Sequence, residues 1–156
     1  MNYYYGMVWL LGLFLWQSPL YSQSVRLDSF QDVQLLNVQN CSVVQVNASW
    51  NHQNRVKIEK LANICYVAEI DIEDKVIGAT IAKEWNITIV PTIIVLENGK
   101  EVKRFVPGIS MRFNEDTIIA DVRKEVKQWE RKENRESIKQ EIILNLRLES
   151  VYSINS

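Results

Sequence analysis

The side chains of this sequence best suited to covalent or metal chemistry are two cysteines, Cys41 and Cys65, and one histidine, His52. Two thiols are too few for a disulfide framework or a zinc ribbon, and one imidazole gives no Cys/His metal cluster. No second ligand or nucleophile lies near His52 in the chain, so neither metal binding nor general-base work is expected of it. Its surroundings say more. Val43-Val44-Gln45-Val46-Asn47-Ala48 is apolar-rich and strand-forming, Ser49-Trp50 follow, and Asn51-His52-Gln53-Asn54 leads into a helical pattern. The N-terminus of a helix is a place where the dipole and backbone N–H groups lower a thiol pKa. Here that place carries Asn51 and Asn54, and a carboxamide is neither a nucleophile nor a redox couple.

The elements that must position these residues alternate between strands and helices. Val25-Arg26-Leu27 is a short strand candidate, and Asp28 or Ser29 can cap a helix carrying Phe30, Val33, Leu35 and Leu36. The strand from about Ser42 to Ala48 is nearly continuous in apolar residues, as expected of a parallel strand covered on both faces. Asn51 is placed to cap a helix with Ile58, Leu61 and Ala62 as its stripe. Cys65 to Asp71 is the next strand, and Asp74 opens a helix striped by Ile77, Ile81 and Trp85. After Pro91, two strands flank Asn98-Gly99, a strong hairpin signal because both turn residues must tolerate positive φ. A last helix begins near Asn114 and buries Ile118, Val122, Val126 and Trp129. This order predicts a mixed sheet sandwiched by helices.

Both termini carry something besides this domain. Gly6 to Trp16 is an uncharged apolar run, too short to span a bilayer comfortably and suited to an export signal. Residues 1–24 are therefore expected to be a signal peptide, with an uncleaved membrane anchor as the alternative. The three Asn-X-Ser/Thr sequons, at Asn40, Asn47 and Asn86, are read as chance, since Asn47 falls in the central strand. From Glu130 to Glu141 most residues are charged, so residues 132–156 read as a charged C-terminal extension. Its final stretch alternates Leu144, Leu146 and Leu148 with polar residues like a strand, yet Ile138, Ile142 and Leu146 also fit a helix. With a net charge of -1, nothing points to nucleic acid or anionic lipid as a partner.

Several segments, taken in order, resemble the thioredoxin family over roughly residues 25–131. They are Ala48-Ser49-Trp50, Ile81-Ala82-Lys83-Glu84-Trp85-Asn86-Ile87, Val90-Pro91-Thr92, Glu97-Asn98-Gly99 and Gly108. The resemblance implies an α/β, three-layer thioredoxin-like fold, with a mixed central sheet and helices on both faces. It also implies a cis bond before Pro91 and an exposed backbone at Val90 able to pair with an extended peptide. The departures are as informative. The family's Cys-Gly-Pro-Cys is replaced by Asn51-His52-Gln53-Asn54, and its buried carboxylate is replaced by Gln45. The helix after the motif is about two turns shorter than usual.

The expectation is an exported, periplasmic or secreted thioredoxin-fold module without a redox dithiol and without a cofactor. It would bind an unidentified envelope or secreted protein, with membrane contact only if the N-terminal segment is retained. By resemblance, the peptide-binding surface is Trp50, Asn51, His52, Val90, Pro91 and Thr92. Each has a plainer reading: capping residues at a helix start, and a proline kept for the fold alone. The resemblance also sets Cys41 and Cys65 at the entry ends of neighbouring parallel strands, with their sulfurs in contact. Strand spacing argues against a bond there, frayed strand ends argue for one, and both remain open. The rival function is an atypical thiol-disulfide oxidoreductase or thiol-holding chaperone working through these two cysteines. Cysteine as a small buried hydrophobe is the plainer account.

Overall fold

Seven consecutive residues, Cys41–Asn47, form the central strand β2, and all but Asn47 are buried. A strand can bury both faces only if layers cover both sides, and the rest of the chain supplies them. The structure is a computed structural model that describes the backbone of residues 23–154 and the side chains of 23–147. The expected signal segment, apart from its last two residues, lies outside these described residues.

The remaining elements follow in order. They are β1 (Val25–Arg26), α1 (Phe30–Leu35), β3 (Tyr66–Asp71), α2 (Gly78–Glu84), β4 (Thr92–Glu97), β5 (Lys100–Phe105) and α3 (Glu115–Ile154). The sheet order is β1-β3-β2-β4-β5, with β1, β3 and β2 parallel and β4 and β5 antiparallel to their neighbours. On one face Val43, Val67, Ile93 and Val95 pack beneath Ile118, Ile119, Val122 and Val126 of α3. On the other, Val44, Val46, Ala68, Ile70 and Ile94 meet Leu27, Leu36, Ile77 and Ile81. The expected α/β three-layer arrangement is the observed one. Full burial of each of the three β2 valines stabilises by roughly 1.5–3 kcal/mol.

Local chemistry explains most boundaries. Ser29 caps α1 by accepting from the Asp32 N–H at 3.2 Å, while Asp32 returns the bond to the Ser29 N–H at 3.0 Å. Asp74 accepts from the Val76 and Ile77 N–H groups and turns the chain into α2. Asn98 and Gly99, at φ 51° and 74°, make the β4–β5 hairpin as expected. The hairpin tip is pinned by the Asn98 N–H donating to the Asn40 carbonyl at 3.1 Å.

Two expectations are corrected, and one left open is decided. No α-helix follows Asn51; two short 3-10 turns, Ser49–Asn54 and Ile58–Leu61, stand there. α1 buries none of its own residues, and its Phe30 and Leu35 face solvent; of its expected stripe, Leu36 alone is buried, just beyond the helix end. For the C-terminal stretch, where strand and helix were both open, the helix is the one observed: α3 runs unbroken through it to Ile154. Only the first turns of α3, up to Trp129, pack on the domain, and residues 130–147 are exposed.

Cys41 and Cys65 are joined by a disulfide, with Cα atoms 4.8 Å apart. Ser42 pairs with Tyr66 in the parallel register, so the two cysteines stand opposite each other one residue earlier. The bond closes the loop that holds both 3-10 turns. Reducing it is expected to lower unfolding free energy by about 3 kcal/mol for this loop length, measured as a shift in urea midpoint with and without reductant.

The start of α3 is tied to the second turn by Glu115, which pairs with Lys60 and accepts from the Lys57 N–H at 3.2 Å. The Lys60 bond, aided by the Lys57 N–H, holds the Glu115 carboxyl below its ordinary range despite partial burial. A carboxylate with a depressed folded pKa contributes stability above its unfolded value of about 4.3. That contribution is lost as pH falls through the lower folded value. Glu115→Gln is therefore expected to cost up to about 1 kcal/mol near neutrality and progressively less below pH 4, as read from denaturation across that range.

Candidate functional site

The chain leaves β2 at Asn47 and makes a tight turn whose geometry decides what chemistry is possible. The Asn51 N–H donates to the Ala48 carbonyl at 2.9 Å, and Asn51 itself departs from helical geometry at φ -110°, ψ 19°. Its side chain is turned inward and 3% exposed. There Nδ2 donates to the Val90 carbonyl at 2.9 Å, and Oδ1 accepts from Asn54 Nδ2 at 2.5 Å. The Val90–Pro91 bond is cis, as expected. Thr92 Oγ1 donates to the Ile89 carbonyl at 2.6 Å and closes the same loop.

The six residues expected to form a surface thus divide into two groups. Asn51, Val90, Pro91 and Thr92 are buried against one another. Trp50, 64% exposed, and His52 point outward. A peptide laid along this loop would meet a Val90 carbonyl already bonded to Asn51. Asn51 does not cap an α-helix as expected, because the chain makes only a 3-10 turn here. Ser49 is instead held by Glu73, which accepts from its N–H at 2.9 Å and from its hydroxyl.

What replaces the helix is an extended segment anchored by buried polar groups. Gln45, fully buried in β2, accepts from the Val56 N–H through Oε1 at 2.9 Å. Arg55 donates through Nε to Glu69 at 2.6 Å, pairs with Glu59, and bonds Ser24 at 3.1 Å. Val56 and Ile58 consequently enter the core. The alternation of Val56 and Ile58 was a signal for this extended stretch. Nothing in the sequence marks the Asn51–Val90 contact, whose partners lie 39 residues apart.

The disulfide lies at the other end of β2 from Asn51, a distance of about 20 Å for a strand of this length. Both cysteines are buried, and the groove beside them is lined by Val38, Gln39, Asn40, Ala62, Asn63, Ile64 and Tyr66. None of those lining residues is charged. Among the described residues no group of three His, Cys, Asp or Glu side chains is placed to hold a metal ion.

No protein-family model matches the chain, and no curated protein matches it either. Solved structures do. A thioredoxin from Malassezia sympodialis superposes with a TM-score of 0.55 at 15% identity, covering 67% of this chain and 91% of that one. A cysteine-to-serine mutant of Entamoeba histolytica thioredoxin gives 0.53 at 19% identity over 65% and 99%. A thioredoxin from Nicotiana alata gives 0.51 at 22% identity over 66% and 95%. At these identities the likeness is one of fold.

Asn51→Ala removes the donor to Val90 and leaves a buried carbonyl unpaired. The expected cost is about 1–3 kcal/mol in unfolding free energy, measured by denaturant titration. A change indistinguishable from zero would show that the contact contributes nothing.

Proposed function

Because the described chain is a thioredoxin-like domain, we propose that it serves as an exported protein-binding module rather than as a disulfide oxidoreductase. The observation that carries this reading is the state of Asn51. At the position of an attacking thiol stands a buried amide whose donor and acceptor are both engaged within the protein. Asn54, at the resolving position, is its partner. Gln45 beneath them has no carboxyl to move a proton, and its amide oxygen is bonded to Val56. Attack, resolution and proton transfer each lack a group.

Binding is supported by what the turn leaves outside. Trp50 presents a large aromatic surface with a polar edge, the kind of residue that dominates protein interfaces. Val76 is 64% exposed, on the loop that carries Glu73, the partner of Ser49. This places a second apolar side chain on a segment tied to the same turn. The partner is a protein of the envelope or the secreted fraction, and export rests on the apolar run Gly6–Trp16 of the sequence. Among the described residues no helix is long and apolar enough to cross a membrane.

The test has two arms. Purified protein with dithiothreitol is expected to reduce an insulin-type disulfide substrate no faster than dithiothreitol alone. Turnover above that background, abolished by Cys41→Ala, would favour the oxidoreductase reading. In the second arm, partners cross-linked in the envelope fraction are compared between native protein and Trp50→Ala. Loss of a specific partner of the order of tenfold, with unfolding free energy unchanged, is the expected result. An identical partner set in both would remove Trp50 from the interface.

A further inference from the structure

α3 is 40 residues long, and only its first turns, up to Trp129, pack on the domain. A helix surrounded by water is expected to be polar on every side. This one is not. Ile138, Ile142 and Leu146 follow at intervals of four and are 49%, 53% and 60% exposed. At about 3.6 residues per turn they form one stripe. Counted round the helix, the stripe lies on the side away from Val122 and Val126, which pack in the core. Ile143 borders it, and Leu144 stands on the far side of the helix.

Charge decides what can cover the stripe. Residues 130–141 carry four basic and four acidic side chains, so a strongly acidic or basic partner would leave half of them unmatched. The same sequence is complementary to itself. Ile138 and Leu146 stand four residues to either side of Ile142, and Arg135 and Glu149 seven residues to either side. Steps of four and seven both return to one face of a helix, so all five positions share it. Two copies side by side in parallel would set Arg135 on Arg135 and Glu149 on Glu149, which repel. Two copies in opposite directions set each Arg135 against the other's Glu149, and a two-fold axis supplies that pairing twice.

We propose that the second half of α3 pairs antiparallel with the same segment of a second copy of this chain, on a two-fold axis through Ile142. The two Ile142 side chains meet on the axis, and each Ile138 lies against the other copy's Leu146. The Arg135 and Glu149 pairs close the ends of this apolar core. The domains are kept apart, because Trp129 of one copy falls level with a point beyond Ile154 of the other. The pairing goes beyond the proposed binding role and uses no residue of the Trp50 surface.

The experiment is sedimentation velocity on the full chain across a dilution series, together with charge-reversed variants. A monomer–dimer equilibrium in the micromolar range is expected. Arg135→Glu and Glu149→Arg each put like charges together at both ends and are expected to weaken the dimer about tenfold. The double variant restores opposite charges and is expected to return to within about twofold of the native chain. Circular dichroism checks that each variant keeps its helix. Orientation is read from cross-linking under a mild oxidant. The native cysteines are bonded to each other, so an added thiol is the one free. Ile142→Cys is expected to give a disulfide-linked dimer about tenfold faster than Ile138→Cys, whose two copies lie roughly 12 Å apart along the helices. A chain that stays monomeric at hundreds of micromolar overturns the proposal and leaves the stripe to a different protein. A dimer whose affinity ignores both charge reversals, a double variant no better than the singles, or equal cross-linking at 138 and 142 overturns it as well.

Discussion

Gln45 lies in the middle of the central strand with no access to water, and an unsatisfied buried amide group costs about 1–3 kcal/mol. Its oxygen is satisfied by the Val56 N–H, and that bond constrains everything between β2 and β3. A residue whose N–H is held by a side chain from the sheet cannot also donate to the carbonyl four residues earlier. The chain at Arg55 is accordingly extended, at φ -62° and ψ 139°. Arg55 then reaches Glu69 on the neighbouring strand, directly beside Gln45 in the register. Val56 and Ile58 fill the core volume that a helix would otherwise occupy. The arrangement is incomplete at one atom, since Gln45 Nε2 has no partner among the described residues.

A segment of two short turns has few hydrogen bonds of its own, and other links compensate. The disulfide ties its two flanks together at the base of the sheet. Glu115 brings the first turn of α3 onto it through Lys60 and Lys57, and the Arg123 guanidinium donates to the Lys60 carbonyl at 3.4 Å. At the far end Asn51 fastens it to the cis-proline loop. These links join the segment to β2, β3, α3 and the loop before β4. The segment is held by its surroundings rather than by its own backbone, which is how an irregular stretch can sit over a core at all.

The sheet was legible in the sequence because its signals are local and strong. The apolar run of β2, the Asn98-Gly99 turn and the Ile77/Ile81/Trp85 stripe each report on their immediate neighbours. The helix expected after Asn51 failed for the opposite reason. Its apparent stripe of Ile58, Leu61 and Ala62 is real burial, but it is produced by a 3-10 turn held from outside. Phe30 and Leu35 looked like core residues, yet α1 ends before it can turn them inward. The tail held two periodicities at once, and α3 continues through it because no Gly or Pro interrupts the sequence after Asn114. The disulfide was half legible: position could be inferred from strand register, while bonding depended on the 4.8 Å approach of two Cα atoms at strand ends.

The cis-proline loop raises a question of cause that the Asn51 contact answers. Two causes could keep a loop of this kind where no thiol stands beside it: it still receives a peptide, or the fold cannot do without it. Here the Val90 carbonyl already accepts from a side chain within the protein, and Val90, Pro91 and Thr92 are buried. Val90 packs beneath the turn, and Thr92 begins β4, the strand that pairs with β2 along nearly its whole length. The loop thus leads directly into a strand that pairs with the centre of the sheet. The fold alone is sufficient reason to keep the loop, and no bound peptide is needed to explain it. Any recognition by this end of the molecule then falls to side chains that project past the loop, and Trp50 is the largest of them.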